Sequence, residues 1–301
     1  MINGIINVYK EKGYTSFDVV AKMRGMFHQK KIGHTGTLDP DAEGVLPVCL
    51  GKGTKLCDML TDKDKTYRTV MHLGVVTDTQ DSSGAILEEK DISFLDEDMV
   101  KEKILSFIGE YDQIPPMYSA LKVNGKKLYE LARQGIEVER KARRIHIYNI
   151  EIEKIELPYV TMTVSCSKGT YIRTLCHDIG KSLEVGACMK QLTRTSVSIF
   201  KIEDSLKLSE IEQLRDSGEL NEYIKSVDDV FDNLPKIIMK PESDKLVYNG
   251  NPFTCKDMAD NNLDIAKDVS YRVYDSKGIF IGIYGYKENG MFKVIKFFMC
   301  D

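Results

Sequence analysis

At 301 residues, with 42% apolar and 29% charged residues, the chain is long enough to bury a sizeable core, and one large domain plus a small one is the natural expectation. No run of about 18 apolar residues occurs, so no transmembrane helix is expected, and the short Ile/Val run after Met1 meets Lys10, Glu11 and Lys12 too soon for a secretion signal. Seven scattered cysteines without a Cys-x-x-Cys pair, and five histidines not clustered with them, argue against structural zinc and a disulfide framework and favour a reduced, cytoplasmic setting, while a net charge of −4 gives no global sign of a polyanionic partner.

Residues 5–8 read as a strand, and Thr15 or Ser16 can cap a helix whose apolar residues Val19, Met23, Met26 and Phe27 fall on one face. The segment Gly33-His34-Thr35-Gly36-Thr37-Leu38-Asp39-Pro40 is too polar and broken for core. Its glycines let the chain wrap closely, and Pro40 holds Asp39 in extended geometry. Residues 44–51 read as a short buried strand. A carboxylate on a shaped loop beside a buried strand is a common way to build a catalytic site; an Asp-Pro turn with a solvated histidine fits the spacing equally well. Residues 66–76 read as a strand carrying Tyr67 and Arg68, and Asp96 and Glu97 open a helix containing Val100, Ile104, Phe107 and Ile108. Residues 113–118, with two prolines, form an ordered loop.

Between Lys122 and Arg144 eight basic residues face three acidic ones. That stripe is either a phosphate-binding surface or a solvated face. Residues 128–133 read as a short helix ended by Gly135. Residues 145–155 and 159–166 are antiparallel neighbours, and 171–183 is a helix. The acidic region 203–232 is mostly helical, with one piece at 208–214. Leu234-Pro235 reads as a boundary, giving domains 1–234 and 235–301. In the second, the alternating runs 271–274 and 279–283 flank Asp275-Ser276-Lys277-Gly278, a hairpin signature. The expected class is α+β, a mixed, mostly antiparallel sheet with flanking helices, followed by a small barrel better suited to binding than to chemistry.

The Gly33–Pro40 segment, Lys65-Thr66-Tyr67-Arg68, Pro115-Pro116-Met117-Tyr118-Ser119-Ala120-Leu121-Lys122, Gly169-Thr170-Tyr171-Ile172-Arg173-Thr174-Leu175 and Leu192-Thr193-Arg194-Thr195 occur in the order found in the TruB family of pseudouridine synthases, which the chain resembles over about residues 1–200. The C-terminal region resembles a PUA-type RNA-binding domain. The resemblance implies isomerisation of uridine 55 in the T loop of tRNA, without metal or cofactor. Asp39 matches the catalytic aspartate, which acts on the uridine as nucleophile or base. Arg173 matches its arginine partner. Tyr67 matches a tyrosine that stacks on the base and takes a proton later in the reaction. Tyr171 and Leu192 match pocket residues, and His34 matches the residue that fills the gap left by the flipped base. Lys10 aligns with a lysine that is structural or faces phosphate. Lys122, Lys126, Lys127, Arg140, Arg143 and Arg144, in a basic insertion at about 120–148, would grip the T stem through its phosphates.

Two positions depart from the family pattern: Glu11 stands where proline is usual and Ser198 where glycine is usual. Three readings follow. The first is a stand-alone, monomeric tRNA uridine isomerase needing no protein partner and no membrane. The second is a non-catalytic RNA-binding or tRNA-folding protein, a role that can coexist with the first. The third is a guide-RNA-dependent enzyme, whose relatives need partner proteins; the two-part layout gives no sign of docking extensions.

Overall fold

The computed structural model describes residues 1–123, 125–260, 264–287 and 290–299; Cys300 lies outside the described residues. Strand β1 (Gly4–Lys10) is buried on both faces, because alternate side chains enter different cores. Ile6 and Val8 join Val19, Val20 and Met23 of helix α1 (Ser16–Phe27), whereas Ile5 joins Val45, Cys49 and Phe231 on the other side. Thr15, not Ser16, caps α1, through a reciprocal bond pair with Asp18. Ser16 is thereby free to hold the next loop.

Strands β2 (Ile32–His34), β3 (Glu43–Leu50) and β4 (Lys65–Leu73) bring the motif segments together in a ten-stranded sheet. From one edge the order is Ile224–Lys225, β1, β3, Ala187–Val197, β4, Tyr159–Cys166, Arg143–Glu156 and Gly109–Gln113, with β2 added on β3 and Phe200–Lys201 on Ala187–Val197. Only the pairing of Ala187–Val197 with β3 is parallel. The sheet is therefore mixed and mostly antiparallel, as expected. The helix Ile172–Ser182 covers one face, its buried Leu175, Cys176 and Ile179 packing on Met71, Val164 and Ala187.

Three elements differ from the sequence expectation. The run 66–76 is broken at Gly74 (φ +84°), and Val75–Thr77 leaves the sheet to pair with Ile86–Glu89 in a separate hairpin. The helix opened by Asp96 stops at Leu105, so Phe107 still packs on the core while Ile108 is exposed. Ala187–Val197, a central strand, carries so many polar residues that it gave no strand signal.

Residues 236–299 form a second sheet of four strands in the order Lys236–Ile238, Ser270–Tyr274, Phe280–Tyr286 and Phe292–Phe297, around its own core of Met239, Val247, Phe253, Tyr271 and Phe292. The expected hairpin is present. Its turn is tied by Asp275, a fully buried carboxylate that accepts from the amides of Lys277 (2.9 Å) and Ile279 (2.8 Å) and from the Tyr248 hydroxyl (2.7 Å). Ile283 and Phe298 pack with Ile5, Cys49 and Phe231, so this sheet docks on the face of the large sheet opposite α1.

Candidate active site

The loop between β2 and β3 is anchored nearly residue by residue. The Thr35 amide donates to Pro47 O (3.2 Å), the Ser16 hydroxyl accepts from the Leu38 amide (2.9 Å), and the Gly13 amide donates to Pro40 O (2.9 Å). Lys10, fully buried, points its ammonium at the carbonyls of Ala42 (2.6 Å), Pro40 (3.2 Å) and Glu11 (3.2 Å). Burial pulls its pKa down to about 8, against which the nearby Asp39 charge acts. Lys10 is thus a brace for the Asp39 loop. Of the two roles the resemblance implies for it, the structural one fits this geometry: its donors are spent on backbone, and it lines neither of the two cavities at Asp39. A loop tied this way holds its carboxylate without reorganisation.

Asp39 meets Arg173 at 3.1 Å (Oδ2 to Nη2). The arginine stands in the first turn of Ile172–Ser182 with only 6% of its side chain exposed. Its other contacts fix the fork: Nη2 donates to Tyr118 O (2.7 Å), and Nη1 donates to Thr79 O (3.2 Å) and to Asp81 Oδ2 (3.4 Å). Asp81 is itself set by Thr79 and Ser83, whose hydroxyls donate to Oδ1 at 2.8 and 2.5 Å. One guanidinium therefore bridges two carboxylates. Burial pushes the Asp39 carboxyl above its ordinary range; Arg173 pulls it back down, and the like charge of Asp81 pushes it up again. Water still reaches 44% of the Asp39 side chain, so the pair is partly screened.

Asp39 lies where two cavities meet. An outer cleft of about 830 Å³ is lined by His34, Phe17, Lys127, Tyr129 and Lys190. An inner pocket of about 330 Å³ holds Tyr67, Tyr171, Lys65 and Arg194, and Asp39, Arg173 and Leu192 border both spaces. Tyr67, on β4, is buried with its hydroxyl against Arg194; burial raises its pKa and the arginine opposes that rise. Tyr171 precedes the Ile172–Ser182 helix and is clamped by the buried Gln113 amide, which accepts from the Tyr171 amide (2.8 Å) and donates to its carbonyl (3.1 Å). His34 ends β2 at the cleft. Burial, with Arg194 nearby, lowers its pKa, which favours the neutral ring, and its buried Nδ1 has no protein partner.

The structure thus brings Asp39, Arg173, Tyr67, Tyr171, Leu192 and His34 together. The basic residues are spread more widely. Lys122 and Lys126 are exposed on a two-stranded hairpin, and Lys127 lies over the Tyr129 ring at the cleft. Arg143 and Arg144 belong instead to the long strand Arg143–Glu156 of the main sheet. Arg144 is held by Asp112 (2.7 and 2.9 Å) and Glu110 (3.3 Å), and Arg140 by Glu137 (3.0 Å) and Pro115 O (3.2 Å), so part of the positive stripe is neutralised within the fold. The sequence assigns no site role to Asp81, Gln113 or Arg194. Among the described residues no group of three or more His, Cys, Asp or Glu side chains is placed to hold a metal ion.

A braced aspartate on a buried arginine, at the mouth of an aromatic pocket on a mixed sheet, defines an α+β enzyme site of acid–base or covalent character. The model of the TruB family pseudouridylate synthase N-terminal domain matches residues 24–172, and that of the tRNA pseudouridylate synthase B C-terminal domain matches 173–232. The chain belongs to the TruB family of pseudouridylate synthases, enzymes that isomerise uridine to pseudouridine in RNA. It is 53% identical to the tRNA pseudouridine synthase B of Lachnoclostridium phytofermentans, covering 99% of this chain and 100% of that protein, and 46% identical to that of Clostridium kluyveri, with coverage of 99% and 100%. Among solved structures, a Cbf5-Nop10-Gar1 complex matches with a TM-score of 0.75 and 29% identity, over 98% of this chain and 85% of that one. An H/ACA RNP bound to a substrate RNA containing 2′-deoxyuridine matches with 0.74 and 26%, over 99% and 85%. The resemblance read from the motif blocks is borne out.

Proposed function

We propose that this chain isomerises uridine 55 in the T loop of tRNA, acting as a monomer in the cytoplasm without a guide RNA or protein partner. The observation that carries the reading is the Asp39–Arg173 pair at the junction of the two cavities. A flipped uridine entering the inner pocket must pass this carboxylate. The N1–C1′ bond breaks, a C5–C1′ bond forms, C5 gives up its hydrogen and N1 gains one. The overall change is redox-neutral and consumes no co-substrate. Asp39 starts the rearrangement as an anion, with Arg173 as counter-charge. Tyr67 stacks on the base and takes the C5 proton, Tyr171 and Leu192 wall the pocket, and the neutral His34 ring occupies the space the base has left. Lys122, Lys126, Lys127 and Arg143 hold the T stem by its phosphates, with Arg140 and Arg144 contributing after their internal pairs loosen. The division at 234/235 then separates catalysis from a PUA-like RNA-binding unit.

The test is conversion of an unmodified tRNA transcript by the purified chain alone, with pseudouridine mapped by carbodiimide adduct and primer extension. A stop at the T-loop uridine is expected. Conversion that requires an added RNA or protein, or falls elsewhere, would overturn the assignment.

A further inference from the structure

Arg194 is the largest fully buried side chain among the described residues, 1% exposed. It lies on the central strand Ala187–Val197, level with Gly44 of β3 on one side and directly opposite Tyr67 of β4 on the other. Cross-strand partners project to the same face of a sheet, so Arg194 and Tyr67 share one. The approach to β3 is close enough that a Cβ on Gly44 would sit 2.3 Å from Arg194 O, so the arginine is held at backbone level as well. Its Nε donates to Val45 O (2.7 Å) and its Nη2 donates to Gly36 O (3.1 Å), and the guanidinium interacts electrostatically with the Tyr67 hydroxyl. Among the described residues no carboxylate pairs with it, in contrast to Arg173, which has two.

A guanidinium does not shed its proton to relieve burial, and a buried charge without a counter-ion is costly. Two carbonyl dipoles offset part of that cost. The remaining neighbour, Tyr67, can itself acquire a full negative charge. The two carbonyls of Val45 and Gly36 use part of its donor set, which leaves the rest of the guanidinium turned to the Tyr67 oxygen.

We propose that Arg194 is a positioning residue for removal of the C5 proton: it fixes the Tyr67 oxygen at the pocket and balances the phenolate that receives that proton. The inference rests on the reading of Tyr67 as proton acceptor. Tyr67, a phenol at rest, first gives its proton to solvent; after C5–C1′ bond formation the C5–H bond breaks, its electron pair enters the ring and its proton goes to the phenolate so formed, which restores the phenol, and N1 takes its own proton from solvent. The link to Gly36 O also ties this step to the Asp39 loop.

The experiment is single-turnover conversion of tRNA carrying hydrogen or deuterium at uridine C5, across pH, for wild type, Tyr67→Phe, Arg194→Gln and Arg194→Lys. Folding is checked by circular dichroism and tRNA binding. The expected result for Arg194→Gln is a loss of about 10- to 100-fold, a C5 isotope effect at least as large as in wild type, and a rate that keeps rising at pH values where wild type has levelled. Arg194→Lys, which keeps a cation, should show the same changes in smaller measure, and it carries the test if Arg194→Gln does not fold. A folded Arg194 variant that is slow with wild-type pH dependence and no isotope effect would leave Arg194 a structural brace and overturn the proposal. If Tyr67→Phe shows no isotope effect, the acceptor reading itself fails, independently of Arg194.

Discussion

Replacing Arg173 separates charge from geometry at the centre of the site. Arg173→Met removes the counter-charge and leaves Asp39 and Asp81 facing each other across the space it filled. Breaking a buried pair costs about 3–5 kcal/mol in a dry interior. Water reaching 44% of the Asp39 side chain lowers the share felt there to about 2–3 kcal/mol, a rate loss on the order of 100-fold. Because Arg173 holds the Asp39 carboxyl down against burial and Asp81, its removal must raise the pKa further, and the acid limb of the rate profile must move to higher pH. Arg173→Lys keeps the charge but cannot span Tyr118 O, Thr79 O and both carboxylates. It should lose about tenfold while its acid limb stays near that of wild type. The assay is single-turnover tritium release from C5-labelled tRNA between pH 5 and 9. A Met variant within threefold of wild type, or one whose acid limb moves downward, would refute the electrostatic role assigned to the pair.

Further outcomes follow from the same geometry. Asp81→Asn removes the like charge that helps raise Asp39, so the acid limb should move to lower pH while the plateau drops about tenfold as Arg173 loses a charged partner; an upward shift in the pH–rate profile would contradict this. Lys10→Met should lower the melting temperature by several degrees and slow catalysis, with tRNA affinity within about twofold of wild type, because the ammonium braces carbonyls and does not face the cleft. A filter-binding affinity that collapsed while the melting temperature held would favour the phosphate-facing role instead. Ser198 adopts φ +53°, a left-handed conformation that costs a side-chain-bearing residue about 1 kcal/mol. Ser198→Gly should therefore stabilise the chain by about 0.5 kcal/mol after the added freedom of the unfolded chain is counted, and calorimetry showing a lower melting temperature would show the backbone there to be unstrained.

Much of this was legible in residues whose local chemistry is unambiguous. Thr15 or Ser16 announces α1, the Asp275 turn announces the second-sheet hairpin, and the glycines and proline around Asp39 announce a shaped loop. Asp39, Tyr67, Arg173 and Leu192 came from motif order, since no periodicity assigns a role to a lone arginine on a helix. What stayed hidden depends on contacts distant in sequence. Ala187–Val197 is central yet polar, because Lys190, Gln191 and Arg194 line the cleft and pocket rather than an apolar layer. Asp81 acts across 92 residues and Gln113 across 58, distances over which a sequence pattern carries no geometry. The basic stripe was visible as charge, but the carboxylates of Glu110 and Asp112 that neutralise Arg144 come from a neighbouring strand 32 to 34 residues away. Ser198, noted only as a departure from glycine, turned out to hold a glycine-like angle.

The role of Asp39 is tested most directly by tritium release from tRNA labelled at uridine C5, with wild type and Asp39→Asn compared under single-turnover conditions and tRNA binding measured alongside. The wild type should release tritium, and Asp39→Asn should release none while binding tRNA with near-normal affinity, since the loop is held by Lys10, Ser16 and Arg194 rather than by the carboxylate. Release by the asparagine variant at the wild-type rate would show that the chemistry starts elsewhere in the pocket.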